Sequence, residues 1–185
     1  MVMQSSRYAL VAYVNDPVAE FIKQIRQELH PDLPHLAAHV TVLPPRVLAG
    51  GEIAAMASVT DICRQVEPFE MSLGEVETFI PVTPTVFIRV VNAYRVRELH
   101  DQLRAAKPLG LNEDWPYLPH LTIIKMSTEA HAQEAYRLAR HRWAEYGASR
   151  YIHVRELTFV REQEDHSWVD VGAVPLTGVA SQRPL

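Results

Sequence analysis

Two short segments constrain this chain most: His39-Val-Thr-Val-Leu43 and His120-Leu-Thr-Ile-Ile124, 81 residues apart. Both are apolar, rich in β-branched residues and alternating at their start, so both read as strands. On a strand, residues i and i+2 share a face. Each segment therefore sets an imidazole beside a threonine hydroxyl, while Val40, Val42, Leu121 and Ile123 turn the other way into a core. The His-x-Ser/Thr pattern is weak alone: with 9 His and 17 Ser or Thr in 185 residues, about 0.8 matches arise by chance. Placement raises the signal, because both copies open an apolar strand and none of the other seven His has Ser or Thr two residues later.

The surrounding segments repeat an order. Tyr8 to Val14 is an apolar run of strand length stopped by Asn15-Asp16-Pro17, where Asp16 suits a helix N-cap and Pro17 the first helical position. Val18, Phe21, Ile22, Ile25 and Leu29 then recur at helical spacing until His30-Pro31. The His39 strand closes at Pro44-Pro45. Gly50-Gly51 opens a helix with Ala55, Met56, Val59, Ile62, Cys63 and Val66 on one face, and a strand follows from Phe69 to Phe79, bulged at Gly74. Beyond Pro84 come a strand from Thr85 to Val91 and a helix through Val96, Leu99, Leu103 and Ala106 that Pro108 and Gly110 terminate. The His120 strand, a long helix capped by Ser127 or Thr128, and strands from Tyr151 to Val160 and Trp168 to Val174 complete the series. One domain over 1–185 is predicted, with two β-α-β-α-β halves at about 7–80 and 85–176 and a loose tail from Pro175.

Charge and composition narrow the partners. A net charge of -4 argues against an electrostatic binder of long nucleic acid, DNA included, which needs clustered Lys and Arg. A single cysteine, Cys63, excludes an internal disulfide and a Cys-rich zinc module, and it suits a reducing compartment. The apolar run at Tyr8 is too short to span a membrane. A cytoplasmic, monomeric protein without a membrane partner is expected.

The chemistry follows from the four polar side chains. If the halves pack about a pseudo-twofold axis, His39, Thr41, His120 and Thr122 converge on one cleft. In-line displacement at phosphorus needs a base behind the attacking oxygen and an acid beside the leaving one. Two imidazoles, titrating near neutrality, serve both roles, each worth ~10²–10⁴ in rate, and the hydroxyls can donate to the equatorial oxygens. No metal or other cofactor is required. His30, His35 and His39 make no regular metal spacing, because Pro31 and Pro34 interrupt it.

With these residues the chain resembles the two-histidine (2H) phosphoesterase superfamily, which includes the bacterial 2',5' RNA ligases, also called RNA 2',3'-cyclic phosphodiesterases. His39-Val-Thr-Val-Leu-Pro-Pro-Arg46 is similar to the first family motif and Tyr117-Leu-Pro-His-Leu-Thr-Ile-Ile-Lys125 to the second. The opening Arg7-Tyr8-Ala-Leu-Val also resembles the family's first strand. The resemblance implies an α+β fold of two lobes, antiparallel-rich sheets around a central cleft with helices outside. It implies that His39 and His120 are the acid–base pair and that Thr41 and Thr122 bind phosphate. Lys125, standing where many ligase-type members carry Arg, is a third candidate for binding phosphate; it keeps the charge without the bidentate fork. Arg46 and Tyr117 are further candidates for substrate contact. The implied activity is metal-independent hydrolysis of a 2',3'-cyclic phosphate, or a related cyclic phosphodiester, on a small nucleotide or an RNA 3'-end. Two alternatives remain open on this reading: a noncatalytic module that binds phosphonucleotides or RNA ends, and 2',5' ligase or 2',5'-phosphodiesterase activity.

Overall fold

Alternation and proline stops fix where the chain extends, and long-range pairing assembles those segments into one sheet. The computed structural model describes residues 6–31, 36–110 and 113–179. In chain order the elements are β1 (Tyr8–Tyr13), α1 (Pro17–Leu29), β2 (His39–Arg46), α2 (Gly51–Cys63), β3 (Phe69–Thr78), β4 (Thr85–Val90) and α3 (Tyr94–Ala105). A short 3-10 turn (Lys107–Leu109) leads on to β5 (His120–Lys125), α4 (Glu129–Ala144), β6 (Tyr151–Val154), β7 (Glu156–Glu162) and β8 (Trp168–Pro175). All strand pairs are antiparallel, in the order β6-β3-β4-β5-β2-β1-β7-β8. The fold is α+β, with the four helices outside a curled eight-stranded sheet.

The sheet has two four-stranded leaves, joined where β2 meets β5 through the pair Val40 and Leu121. Strand order cuts across the sequence halves. β3 joins the leaf of the second half, and β7 and β8 lie beside β1. The predicted single strand from Tyr151 to Val160 is in fact two. It breaks at Arg155, with β6 pairing to β3 and β7 to β1 near the other end of the sheet. One residue spans at most about 7 Å between the Cα atoms that flank it. The two ends of the sheet must therefore lie close together at this corner, and the sheet must bend back on itself.

The helices cover the convex face. Val18, Ile22 and Ile25 of α1, Ala55 and Val59 of α2, Leu99 and Leu103 of α3, and Ala135 and Trp143 of α4 bury against Val40, Val42, Leu121 and Ile123. Cys63 is fully buried there, and burial pushes its thiol up to about 12. On the other face a smaller apolar cluster, Ala9, Val11 and Val160, lies beneath Tyr13 and Trp168. Up to Val179 the tail differs from expectation, and residues 180–185 lie outside the described residues: Leu176 is buried, and the amides of Leu176, Thr177 and Gly178 donate to the carbonyls of Arg155, Cys63 and Val66. Backbone bonding, invisible to composition, holds it. No helix among the described residues is long and apolar enough to cross a membrane.

Candidate active site

The seam between the leaves brings the two motifs together. Extending the register from Val40–Leu121 by one residue places His39 opposite Thr122 and Thr41 opposite His120. All four therefore share the concave face, about a local twofold axis through the Val40–Leu121 pair. The histidines lie on a diagonal, for which the Cα separation is about 7–8 Å.

Both imidazoles are held the same way. Nδ1 of His39 lies 2.9 Å from the Ala37 carbonyl and Nδ1 of His120 lies 2.7 Å from that of Leu118. A carbonyl only accepts, so each neutral ring carries its proton on Nδ1 and leaves the Nε2 lone pair for the cleft. Burial lowers both pKa values below the ordinary imidazole range; the Arg26 charge adds to this at His39, and His39 itself adds to it at His120. The ring of His120 packs edge-on against Phe79 and Phe87, with centroids 5.0 and 5.2 Å away. His39 meets the edge of Tyr13, whose hydroxyl donates to Asp170 at 2.6 Å.

Both motif strands also carry a bulge at the same place. On β2 the register slips between Leu10–Leu43 and Val11–Thr41, leaving Val42 extra. On β5 it slips between Val86–Ile124 and Phe87–Thr122, leaving Ile123 extra. The double apolar pairs Val42-Leu43 and Ile123-Ile124, which interrupt the alternation, were the sequence signal for this, and all four side chains are buried.

Side chains from outside the sheet reach the backbone at both bulges. Tyr117 donates to the Thr41 carbonyl at 2.9 Å, and Nδ1 of His100 on α3 contacts that of Val42 at 2.9 Å. Across the axis, Arg26 on α1 donates to the carbonyls of Thr122 at 2.9 Å and Ile123 at 2.6 Å, and also to that of Leu36. Sequence reasoning passed over Arg26 and His100. Each is one polar residue on an amphipathic helix, and nothing local names its partner.

The remaining sequence candidates occupy other positions. Arg46 is 6% exposed, and its guanidinium donates to Pro44 and Gly110 carbonyls and pairs with Glu113 at 2.5 Å. β2 continues through Pro44-Pro45 with a second register slip against β1, and Arg46 is directed into this buried cluster with His100, whose Nε2 lies 3.2 Å from Glu113. Tyr117 stacks on His100 with ring centroids 3.8 Å apart, and burial pushes its phenol well above the usual range. Lys125 is exposed at the end of β5 and lines a cavity of about 620 Å³ with Leu29, His30, Met126, His131 and Glu134. That cavity lies between the C-terminus of α1 and the N-terminus of α4. His35 lies outside the described residues. Among the described residues, no group of three His, Cys, Asp or Glu side chains gathers to hold a metal ion.

The chain has relatives in both sequence and fold. Residues 14–166 match the 2'-5' RNA ligase superfamily. The chain is 29% identical over 117 residues to the "Putative phosphoesterase BH1439" of Halalkalibacterium halodurans, covering 63% of this chain and 68% of that protein. Its fold is similar to that of E. coli LigT in complex with NADP+, with a TM-score of 0.65, 17% identity, and coverage of 94% of this chain and 99% of that one. The protein TT0787 of Thermus thermophilus gives a TM-score of 0.63 at 16% identity, covering 93% of this chain and 98% of that one.

Proposed function

The chain belongs to the 2'-5' RNA ligase superfamily, the two-histidine phosphoesterases, and from that premise we propose that it hydrolyses a 2',3'-cyclic phosphate, or a related cyclic phosphodiester, by two-histidine acid–base catalysis. One observation carries the reading: two imidazoles related by a local axis, each with Nδ1 tied to a backbone carbonyl two residues upstream and Nε2 left for the cleft.

The reaction needs one ring neutral and the other protonated. Water attacks phosphorus while the neutral Nε2 takes its proton, and the imidazolium at the opposite end gives a proton to the departing ribose oxygen. The P–O bond to water forms as the ring P–O bond breaks, leaving a phosphomonoester and a free hydroxyl. Thr41 and Thr122, each beside the histidine of its own strand, donate to the two nonbridging oxygens where charge accumulates. Acid, base and charge stabilisation are then all supplied by side chains, and the step calls for no metal. Burial favours the neutral ring at each position, so the singly protonated pair is most populated on the acidic side of neutrality, and the rate profile is bell-shaped with limbs that belong to the pair. A small nucleotide or an RNA 3'-end fits the acidic net charge better than a long polynucleotide.

The test is hydrolysis of 2',3'-cyclic nucleotides and cyclic-phosphate-ended RNA, with EDTA present, by the wild type, His39→Ala and His120→Ala. Turnover that survives EDTA and falls by ~10²–10⁴ in each variant is expected. Near-wild-type turnover in either folded variant would sink the mechanism.

A further inference from the structure

We propose that Arg26, together with the Tyr117–His100 pair, positions the two histidine strands: each half of the chain sends side chains across the seam to hold the bulge of the other half's motif strand. The inference rests on the acid–base reading above for its kinetic consequence, but its geometry stands alone. The carbonyls taken are the same two on each strand, those of the motif threonine and of the extra residue after it. Tyr117 and His100, from the second half, take Thr41 and Val42. Arg26, from the first half, takes Thr122 and Ile123. Neither contact is a helix packing in general; each is a hydrogen bond to the peptide that carries a phosphate-facing threonine.

The clamps matter because the seam is otherwise thin. β2 and β5 share the single pair Val40–Leu121, so ladder bonding alone leaves the relative height and tilt of the two strands poorly fixed. Arg26 supplies a second tie. Its Nη1 bonds to Leu36, one residue before the carbonyl that orients His39, while its other two nitrogens hold the strand of His120. One planar guanidinium therefore couples the segment that aims one imidazole to the strand that bears the other. Its charge is felt at His39, which otherwise faces the Tyr13 ring from β1 and His120 from β5. Lysine carries the same charge but lacks the planar fork that grips two successive carbonyls.

The full chain carrying Arg26→Gln, Arg26→Lys or Tyr117→Phe tests this, with steady-state kinetics on 2',3'-cyclic nucleotides and histidine ring resonances followed by NMR across pH. For Arg26→Gln, kcat falls on the order of 10²-fold with KM little changed, as for a misplaced catalytic group. The acidic limb moves up in pH because the cation beside His39 is gone. Arg26→Lys loses a similar share of kcat but leaves that limb where the wild type has it. Tyr117→Phe keeps the stack on His100 and loses one bond, for a fall of up to about tenfold. The ring resonance of His120, which Arg26 does not touch, shifts in Arg26→Gln through the strand. A folded Arg26→Gln protein with wild-type kcat and both ring resonances unmoved overturns the proposal. If the wild type turns over none of these substrates while the rings still respond to Arg26→Gln, the positioning role stands and the reaction proposed above is what fails.

Discussion

The two motif strands are alike in backbone and unlike in surroundings. β2 and β5 share the imidazole tied to the carbonyl two residues upstream, the threonine two residues downstream and the bulge after it. Around them the likeness ends. The β2 bulge is held by a neutral phenol and an imidazole backed by the buried Arg46–Glu113 pair, whereas the β5 bulge is held by one cation that meets no carboxylate among the described residues. His120 lies against two phenylalanines, while His39 lies beside a tyrosine hydrogen-bonded to Asp170. In the proposed reaction, geometry is duplicated where both halves would do the same work, aiming Nε2 and a hydroxyl at one phosphate, and electrostatics diverge where one ring would give a proton and the other take one.

The strongest way to break this comparison is to attack the buried support on one side. Arg46→Ala removes the shortest of the buried contacts of Glu113, leaving it the His100 ring and the more distant Arg104, and urea denaturation is expected to show a loss of about 3–5 kcal/mol. Arg26→Gln strands no buried charge and should cost far less stability. Equal losses would mean that the two clamps are built alike after all.

Next in size, Thr41→Val and Thr122→Val each remove one proposed donor to the phosphate, and kcat on a cyclic nucleotide should fall on the order of 10²-fold in both. A near-neutral result in one alone would show that a single hydroxyl sets the orientation and that the twofold likeness is only of backbone.

The smallest effect concerns acid stability. Both imidazoles titrate below their unfolded value of about 6.5, so between the folded and unfolded values the unfolded chain binds more protons. Stability therefore drops as pH falls from about 6.5 through the folded pKa values, and these groups contribute no slope above that window. His39→Gln and His120→Gln should each flatten the fall in denaturation midpoint, and by similar amounts, because burial is the largest cause at both. A much larger flattening in His39→Gln would assign the shift to Arg26 instead.

Much of this was legible in the sequence, for identifiable reasons. Alternation told which residues share a face, so the common side of His39, Thr41, His120 and Thr122 and the burial of their neighbours could be read directly. Alternation reports a face and never a partner. The exchange of β3 and β7 between leaves, the break at Arg155 and the pinned tail all depend on pairing between residues far apart. Arg46 illustrates the limit on a smaller scale: Pro44-Pro45 looks like a stop, but the missing N–H groups are harmless where β2 is unpaired with β5 and its register against β1 slips, and the strand carries Arg46 into the core. Tyr117 was noted as a ring beside the motif, and only its neighbour His100, from another helix, explains why its hydroxyl points at Thr41.

The way the leaves are threaded also sets an order in time. The leaf that carries His120 is contiguous, from Phe69 to Val154, and can close its own pairings once that stretch has left the ribosome. The leaf that carries His39 begins at Tyr8 but waits for Arg161 to pair with it, and its outer edge waits for Trp168 to Pro175. Synthesis adds about 5–20 residues per second, so the β7-facing edge of β1 stays unpaired for roughly 10 seconds or more after β2 has covered the other. The pairings of the leaf that carries the second motif are thus available first, and those of the first motif's leaf are complete only when the last strands arrive.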